Sequence, residues 1–510
     1  MAKLRCFLAS ILILQIVLYP LFFFEQQALA EGDEETSTQE REGTFELTVM
    51  HTNDTHAHLD RVAHRITAVR SIREEVEHSL LLDAGDVFSG TLFFNQYLGQ
   101  ADLEFMNMAE YDAMVPGNHE FDKGPEVFAD FIKKAQFPFV SSNINYSQEP
   151  SFSDLFIDVI GAPAENGKVY PAIVKEFDGE RVGIIGLTTE DTVFVANPGD
   201  HIVFENYLEK AKETVKRLEE EGVNKIIALT HLGYRYDRTL AEEVEGIDIV
   251  VGGHSHTLLD KPVVFHENTK PTLVVQANEY GEFLGRLDVT FDENGVLQSW
   301  DGQLIKVDEQ DENGQYVYEE DPAATARLAE LQLPIEELKK HVVGHTSIFL
   351  DAEREHIRSQ ETNLGNLIAD GMLEKAQESV DAQIALQNAG GIRASIAEGD
   401  ITLGDVLTVL PFGNTLVTLE LTGEEIVEAL ELSVSSIDDG HGRFLQVAGL
   451  RFYFDRNEPA FERVFHVEVK TEDGYELFSS IKRISSQRMH LLLMAVMAIQ
   501  CLGKQKMKVE

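Results

Sequence analysis

Gly117-Asn118-His119-Glu120-Phe121-Asp122 is the stretch whose reading decides the fold. The short apolar run Ala113 to Pro116 precedes it, after a helix-like segment, so the motif is expected at the mouth of a strand. An amide, an imidazole and a carboxylate on one turn can coordinate a metal, meet an anion and orient the imidazole together. Alone the triplet says little, because asparagine and glycine make turns in every fold. Its weight comes from what stands at four other predicted strand ends.

Phe45 to Met50 alternates apolar and polar residues as a half-buried strand does, and runs into Asp54-Thr55-His56. Leu80-Leu81-Leu82 reads as a buried strand leading to Asp86. Lys225 to Thr230 ends at His231, and Ile247 to Val251 leads to His254-Ser255-His256. Helix-like segments at Arg61 to Val76, Ala101 to Ala109 and Leu208 to Glu221 lie between them. Strands alternating with helices predict an α/β domain over residues 45–322. A charged helix at 323–341 is expected to connect it to a second α/β domain at 342–480.

The strand ends bring seven ligand-type residues: Asp54, His56, Asp86, Asn118, His231, His254 and His256. Open α/β sheets bind ligands beyond the carboxyl ends of their strands, so these stretches can converge. Imidazoles with carboxylates suit Zn²⁺, Mn²⁺ or Fe²⁺ better than Ca²⁺ or Mg²⁺. Seven ligands exceed one tetrahedral site but fit two divalent ions sharing a bridge, for which Asp86 is the candidate. His51 is placed behind the ligands, His58 just outside them, and His64 is read as an ordinary histidine.

The chain has 510 residues, with 42 Lys+Arg against 88 Asp+Glu, a formal net charge of -46. Such acidity argues against a nucleic-acid polymer as partner, whose phosphates need basic residues. Met1 to Ala30 reads as a secretory signal: Lys3 and Arg5, an apolar run from Phe7 to Phe24, then Ala28-Leu29-Ala30 for cleavage. Residues 31–44 form a polar leader, and no stable membrane span is expected once the signal is removed. The expected location is secreted or in the cell envelope. Cys6 lies in the signal and Cys501 is the other cysteine, so export brings no internal disulfide.

In this order, Asp54-x-His56, Gly85-Asp86, Gly117-Asn118-His119-Glu120, His231 and Gly253-His254-x-His256 resemble the calcineurin-like metallophosphoesterases. Glu361 to Asn366 and the Asn388 to Arg393 loop narrow the resemblance to the secreted 5′-nucleotidase family, which includes the bacterial UDP-sugar hydrolases. The likeness runs from about Leu47 to about Phe478, with one departure: His256 stands where some members have Gln or Asn. The resemblance implies an N-terminal four-layer α/β/β/α metallophosphatase sandwich, a connector helix and a C-terminal α/β nucleotide-binding domain. It assigns Asp54, His56, Asp86 and His256 to one metal, and Asp86, Asn118, His231 and His254 to the other. His119 reads either as an eighth ligand or as a catalytic group oriented by Asp122, and the resemblance favours the latter. Arg354, Arg358, Asn388, Arg393 and Phe412 match the family's substrate-binding residues, Phe412 as half of an aromatic clamp on the base. The implied reaction releases phosphate from nucleoside 5′-monophosphates. A 2′,3′-cyclic-nucleotide phosphodiesterase or a nucleotide-sugar hydrolase is the alternative, and a nucleotide-binding protein with impaired turnover a third.

That third reading comes from residues 481–510. Lys482, Arg483, Arg488, Lys504, Lys506 and Lys508 face one acid there, Glu510, in an otherwise acidic chain. The family has a Thr-Asn stretch and a Gly-Gly-Asp-Gly-Tyr loop here, the loop supplying the second base-stacking aromatic. One codon choice for Ile481 to Glu510, with a nucleotide restored ahead of it, reads DKTYLIATNALIANGGDGYTVFREAKDEG in the neighbouring frame. The tail is therefore read as frameshifted, and is expected to be poorly ordered or helical, with nucleoside selectivity impaired. Sequencing the DNA across codons 475 to 485 is expected to reveal the displaced frame. A clean read of the present frame, together with full nucleotidase activity, would overturn this reading.

Overall fold

Two seven-stranded sheets carry the first domain. A computed structural model describes residues 44–411, 414, 416–472, 474–477 and the backbone of 489–494. The expected signal, the leader up to residue 43, Phe412, and tail residues 481–488 and 495–510 lie outside the described residues.

The first sheet runs, in spatial order, Leu297–Lys306, Phe283–Phe291, Phe45–Thr52, Ser79–Asp83, Ala113–Met114, Phe139–Val140 and Val169–Tyr170. The second runs Val263–Phe265, Thr272–Val275, Ile249–Val251, Ile226–His231, Glu180–Thr188, Ala172–Phe177 and Ile160–Gly161. Phe45–Thr52 is parallel to Ser79–Asp83, and Ile226–His231 is parallel to Ile249–Val251, so their carboxyl ends point the same way within each sheet.

Side-chain alternation explains the layering. Leu80 and Leu82 pack with Ile227, Leu229 and Ile249 between the sheets. Leu81, on the other face, joins Ile66, Val69 and Phe105 from the helices Val62–Glu75 and Gln100–Ala109. Ala228 and Val250 turn away from the first sheet to meet Val215, Leu218 and Leu240 from Tyr207–Glu220 and Tyr234–Glu243. Strands buried on both faces need continuous apolar runs, which is why Leu80-Leu81-Leu82 shows no alternation. The result is the expected helix–sheet–sheet–helix sandwich.

The connecting helix, Pro322–Lys339, starts at Asp321, whose carboxylate accepts from the amides of Ala323 and Ala324 at 3.0 and 2.8 Å. Its Ala324, Leu328 and Leu331 pack into the first domain's outer core, so it belongs to that core as much as to the connection. In the second domain, Asn363–Gln377 packs Ala369, Met372 and Ala376 against Ala382, Ala385 and Ala448. The run Phe444 to Phe454 breaks at Gly449 into Leu445–Ala448 and Leu450–Phe454, which lie in different sheets. Gly449 has φ +75, and a Cβ there would lie 1.9 Å from the Gln383 carbonyl oxygen, so only glycine turns this corner.

One expectation for the tail is corrected. The backbone of Met489–Met494 is neither helical nor irregular but a strand, parallel to Ala382–Asn388 and antiparallel to Leu416–Leu421. The two flanking strands each present a row of amide and carbonyl groups, and an inserted strand satisfies both. Among the described residues, no helix is long and apolar enough to cross a membrane.

Candidate active site

Seven residues predicted as ligands arrive from strand ends in both sheets. Asp54 and His56 follow Phe45–Thr52, Asp86 follows Ser79–Asp83, and Asn118 follows Ala113–Met114. His231 closes Ile226–His231 in the second sheet, and His254 and His256 follow Ile249–Val251. Asp54, His56, Asp86, His254 and His256 all have left-handed backbones, with φ between 48 and 73°. Asp and His tolerate that conformation better than most residues, and such strain concentrates at functional sites.

Their polar atoms converge. Asp54, His56 and His256 form one close group, and Asp86, His231 and His254 another; Asp86 also groups with His56 and His119. His256 Nε2 lies 3.3 Å from Asp54 Oδ1 and 3.2 Å from His56 Nε2. His254 Nδ1 lies 2.8 Å from Asn118 Oδ1. His56 Nδ1 donates to the Phe88 carbonyl at 3.2 Å and His231 Nδ1 to that of Ala84 at 2.7 Å, leaving both Nε2 atoms to face inward.

The donor set fits divalent metal. His231 is fully buried, yet its Nε2 makes no hydrogen bond, although Asp86 Oδ2 is 3.0 Å away. A buried nitrogen left facing a carboxylate is what a metal ligand looks like without its ion. Burial lowers the pKa of His254 to about 4 and lowers that of His56, keeping both rings neutral and able to ligate. Burial opposes charge on His231 and His256 as well, but Asp86 beside the former and Asp54 and Glu279 beside the latter raise both to about 10. Metal binding at those nitrogens therefore expels protons and strengthens as pH rises.

His119 stands at the edge of these groups, its Nε2 4.0 Å from Asp86 Oδ2, and is tied to a carboxylate of its own. Its Nδ1 donates to Asp122 Oδ2 at 2.7 Å, and its backbone amide donates to Asp86 Oδ1 at 2.9 Å. Burial disfavours a charged ring, but Asp86 and Asp122 outweigh it and raise the His119 pKa to about 9. His58 packs against Tyr280 with ring centroids 4.1 Å apart and planes tilted by 46°, outside the groups of candidate ligands. His51 is buried opposite its strand partner Gly285, and His64 donates to the Tyr318 carbonyl at 2.6 Å.

Three residues with no role assigned from sequence hold this arrangement. Glu120 is fully buried, and its carboxylate accepts from the backbone amides of Asp86, Val87, Phe88 and Gly117 at 2.9, 2.9, 3.1 and 2.6 Å. Ser89 Oγ donates to Asp122 Oδ2 at 2.5 Å, fixing the carboxylate that orients His119. Asn53 Nδ2 donates to Asp54 Oδ2 at 2.7 Å. Glu120 lay inside the quoted motif, but its partners are backbone amides, which side-chain patterns do not show. Gly117 is required by crowding: a Cβ there would lie 2.2 Å from Asp86 Oδ1.

In the second domain, Arg354 begins the short helix Arg354–Ile357 and Arg358 caps it. Burial, then the charges of Arg354 and Arg393, lower the Arg358 pKa, so the three guanidinium groups share one region. Arg358 Nη1 donates to the Gly440 carbonyl at 3.1 Å and Arg393 Nη1 to that of Gly390 at 3.2 Å. Asn388 ends the strand Ala382–Asn388, at the start of the loop that carries Arg393.

Comparison with known proteins agrees with this geometry. Residues 47–258 match the calcineurin-like phosphoesterase family, and residues 342–480 match the 5′-nucleotidase C-terminal domain. The trifunctional nucleotide phosphoesterase protein YfkN of Bacillus subtilis is 48% identical over 87% of this chain, which spans only 31% of that protein. A 5′-nucleotidase of Homo sapiens is 34% identical, over 84% of this chain and 78% of its own length. The crystal structure of a 5′-nucleotidase precursor from Thermus thermophilus superposes with a TM-score of 0.62 at 43% identity, covering 88% of this chain and 89% of that one.

Two substitutions would separate a ligand from a catalyst. Asp86→Ala is expected to strip metal from both groups, as read by elemental analysis of the purified protein. His119→Ala is expected to keep its metal while phosphate release falls about 10²- to 10⁴-fold. Metal loss from the His119 variant would make it a ligand instead.

Proposed function

Because this chain belongs to the 5′-nucleotidase family, a calcineurin-like phosphoesterase domain followed by the 5′-nucleotidase C-terminal domain, we propose that it releases phosphate from nucleoside 5′-monophosphates outside the cytoplasm. It is a metal-dependent phosphoester hydrolase, and its family implies divalent ions. The observation that carries the finer reading is the gathering of Asp54, His56, Asp86, Asn118, His231, His254 and His256 beside the His119–Asp122 pair. We assign two ions, of zinc, manganese or iron, which Asp54, His56, Asp86 and His256 and Asp86, Asn118, His231 and His254 would hold. Bound there, such ions would acidify a water molecule and offset charge on the phosphoryl oxygens.

The chain's own residues do the rest. Asp122, pinned by Ser89, holds His119 Nδ1 and so sets where Nε2 points. With Nδ1 held by Asp122, Nε2 is the ring nitrogen left to donate a proton to a phosphoryl or leaving oxygen. Arg354, Arg358 and Arg393 offer planar donor forks to the nucleotide's anionic groups, and Asn388 a hydrogen bond to its ribose. Phe412, the proposed base-stacking residue, lies outside the described residues. The apolar run from Phe7 to Phe24, with basic residues before it, supports export.

A broader substrate range is the second reading. It rests on the similarity to the Bacillus subtilis protein, whose name describes a trifunctional nucleotide phosphoesterase. A phosphate-release panel over AMP, ADP, ATP, UDP-glucose and 2′,3′-cyclic nucleotides tests both. AMP hydrolysis that chelation abolishes and added zinc or manganese restores is the expected result; hydrolysis of the cyclic nucleotides alone would reverse the order of the two readings. In the same assay Arg393→Ala is expected to raise KM for AMP by about tenfold or more, the worth of one charge-assisted hydrogen bond. A small aryl phosphate should be nearly unaffected; equal effects on both substrates would place Arg393 at the reacting phosphate.

A further inference from the structure

The imidazole of His256 is held from both sides. Nε2 faces Asp54 Oδ1 and His56 Nε2, at 3.3 and 3.2 Å. Nδ1 meets Oε2 of Glu279, a residue beyond the strand Thr272–Val275 and outside every motif that identifies the site.

Glu279 is not a loose surface acid. Its side chain is 28% exposed, and the hydroxyl of Tyr280 bonds to it. The loop that carries it is tied to the ligand end of Phe45–Thr52 by three hydrogen bonds. Asn53 Oδ1 accepts from the Ala277 amide at 2.8 Å, Asn53 Nδ2 donates to the Asn278 carbonyl at 2.6 Å, and the Tyr280 amide donates to the Asp54 carbonyl at 2.8 Å. Asn278 and Tyr280, on either side of Glu279, have left-handed backbones with φ of 60 and 58°. The same Asn53 that steadies Asp54 thus fixes where the Glu279 carboxylate stands. This geometry brings a carboxylate to the outer nitrogen of an imidazole whose inner nitrogen faces Asp54 and His56.

We propose that Glu279 is a positioning residue for the metal group of Asp54, His56 and His256. The inference rests on reading that group as a metal site. Its carboxylate accepts the Nδ1 proton and so fixes the tautomer in which Nε2 is bare. Its negative charge makes the imidazole a stronger donor, favouring ions that take nitrogen ligands over those that prefer oxygen. The second group, built on His231 and His254, takes its orientation from the Ala84 carbonyl, from Asn118 and, through the His254 amide, from Asp54, and neither of its imidazoles is bonded to Glu279.

The test is zinc binding to the full chain, stripped with a chelator and titrated in competition with a chromophoric chelator. Two equivalents are expected in the wild type. Glu279→Ala should weaken one of them by about 10- to 100-fold and leave the other unchanged. Glu279→Gln, whose amide oxygen can still accept the Nδ1 proton, should recover part of that loss. At saturating zinc, phosphate release from AMP by either variant should return towards that of the wild type. Two equivalents bound by Glu279→Ala as tightly as by the wild type would remove Glu279 from this role and leave the two-metal reading standing. Equal weakening of both equivalents, not recovered by Gln, would mark a general structural role and also overturn it. A wild-type chain that binds no zinc would overturn the metal reading itself, and this inference with it.

Discussion

Four backbone amides point at one buried carboxylate, that of Glu120, and the catalytic geometry depends on them. Three belong to the turn Asp86 to Phe88 and the fourth to Gly117, so one side chain fastens the loop after the second strand to the loop after the third. Asp86 rides on the first loop and Asn118 and His119 on the second. A carboxylate buried without partners is costly, but as an acceptor-only group with four donors it is well compensated. Without it, four amides would face an apolar core unpaired, and the two loops would have little reason to stay in register.

The latch matters because the site is assembled across a seam. The first sheet contributes Asp54, His56, Asp86 and Asn118; the second contributes His231, His254 and His256. Apolar packing between the sheets is non-directional and brings the two strand ends near one another without aiming any side chain. Aim comes from polar links across the seam: His231 Nδ1 to the Ala84 carbonyl, and the His254 amide to both oxygens of Asp54. Glu120 does the same work within the first sheet, and Asn53 carries it on to the loop of Glu279. Packing places the loops, and hydrogen bonds to backbone set the ligands.

Much of this was legible in the sequence. The seven candidate ligands stand just after apolar runs, so reading the strands placed them at strand ends, and the parallel order of the strands brings those ends together. What stayed hidden acts through groups that carry no side-chain signature. Glu120 serves backbone amides. Ser89 and Glu279 reach Asp122 and His256 from turns whose direction depends on left-handed residues, and no periodicity reports that. The break at Gly449 was invisible because the residues on either side continue an apolar alternation; only the approach of the Gln383 carbonyl requires it. Met489–Met494 was misjudged because its basic, methionine-rich surroundings suggested an aberrant tail, whereas two strands flank that position with backbone left to pair.

The most direct measurement is on Glu120→Gln. An amide of the same shape keeps the volume but replaces one acceptor oxygen with a donor facing the amides of the two loops. Metal content and phosphate release from AMP should both fall, by about 10- to 100-fold, while the purified chain stays folded by circular dichroism. Wild-type metal content and wild-type turnover in that variant would contradict the account, because the two loops would then be set by something other than the carboxylate of Glu120.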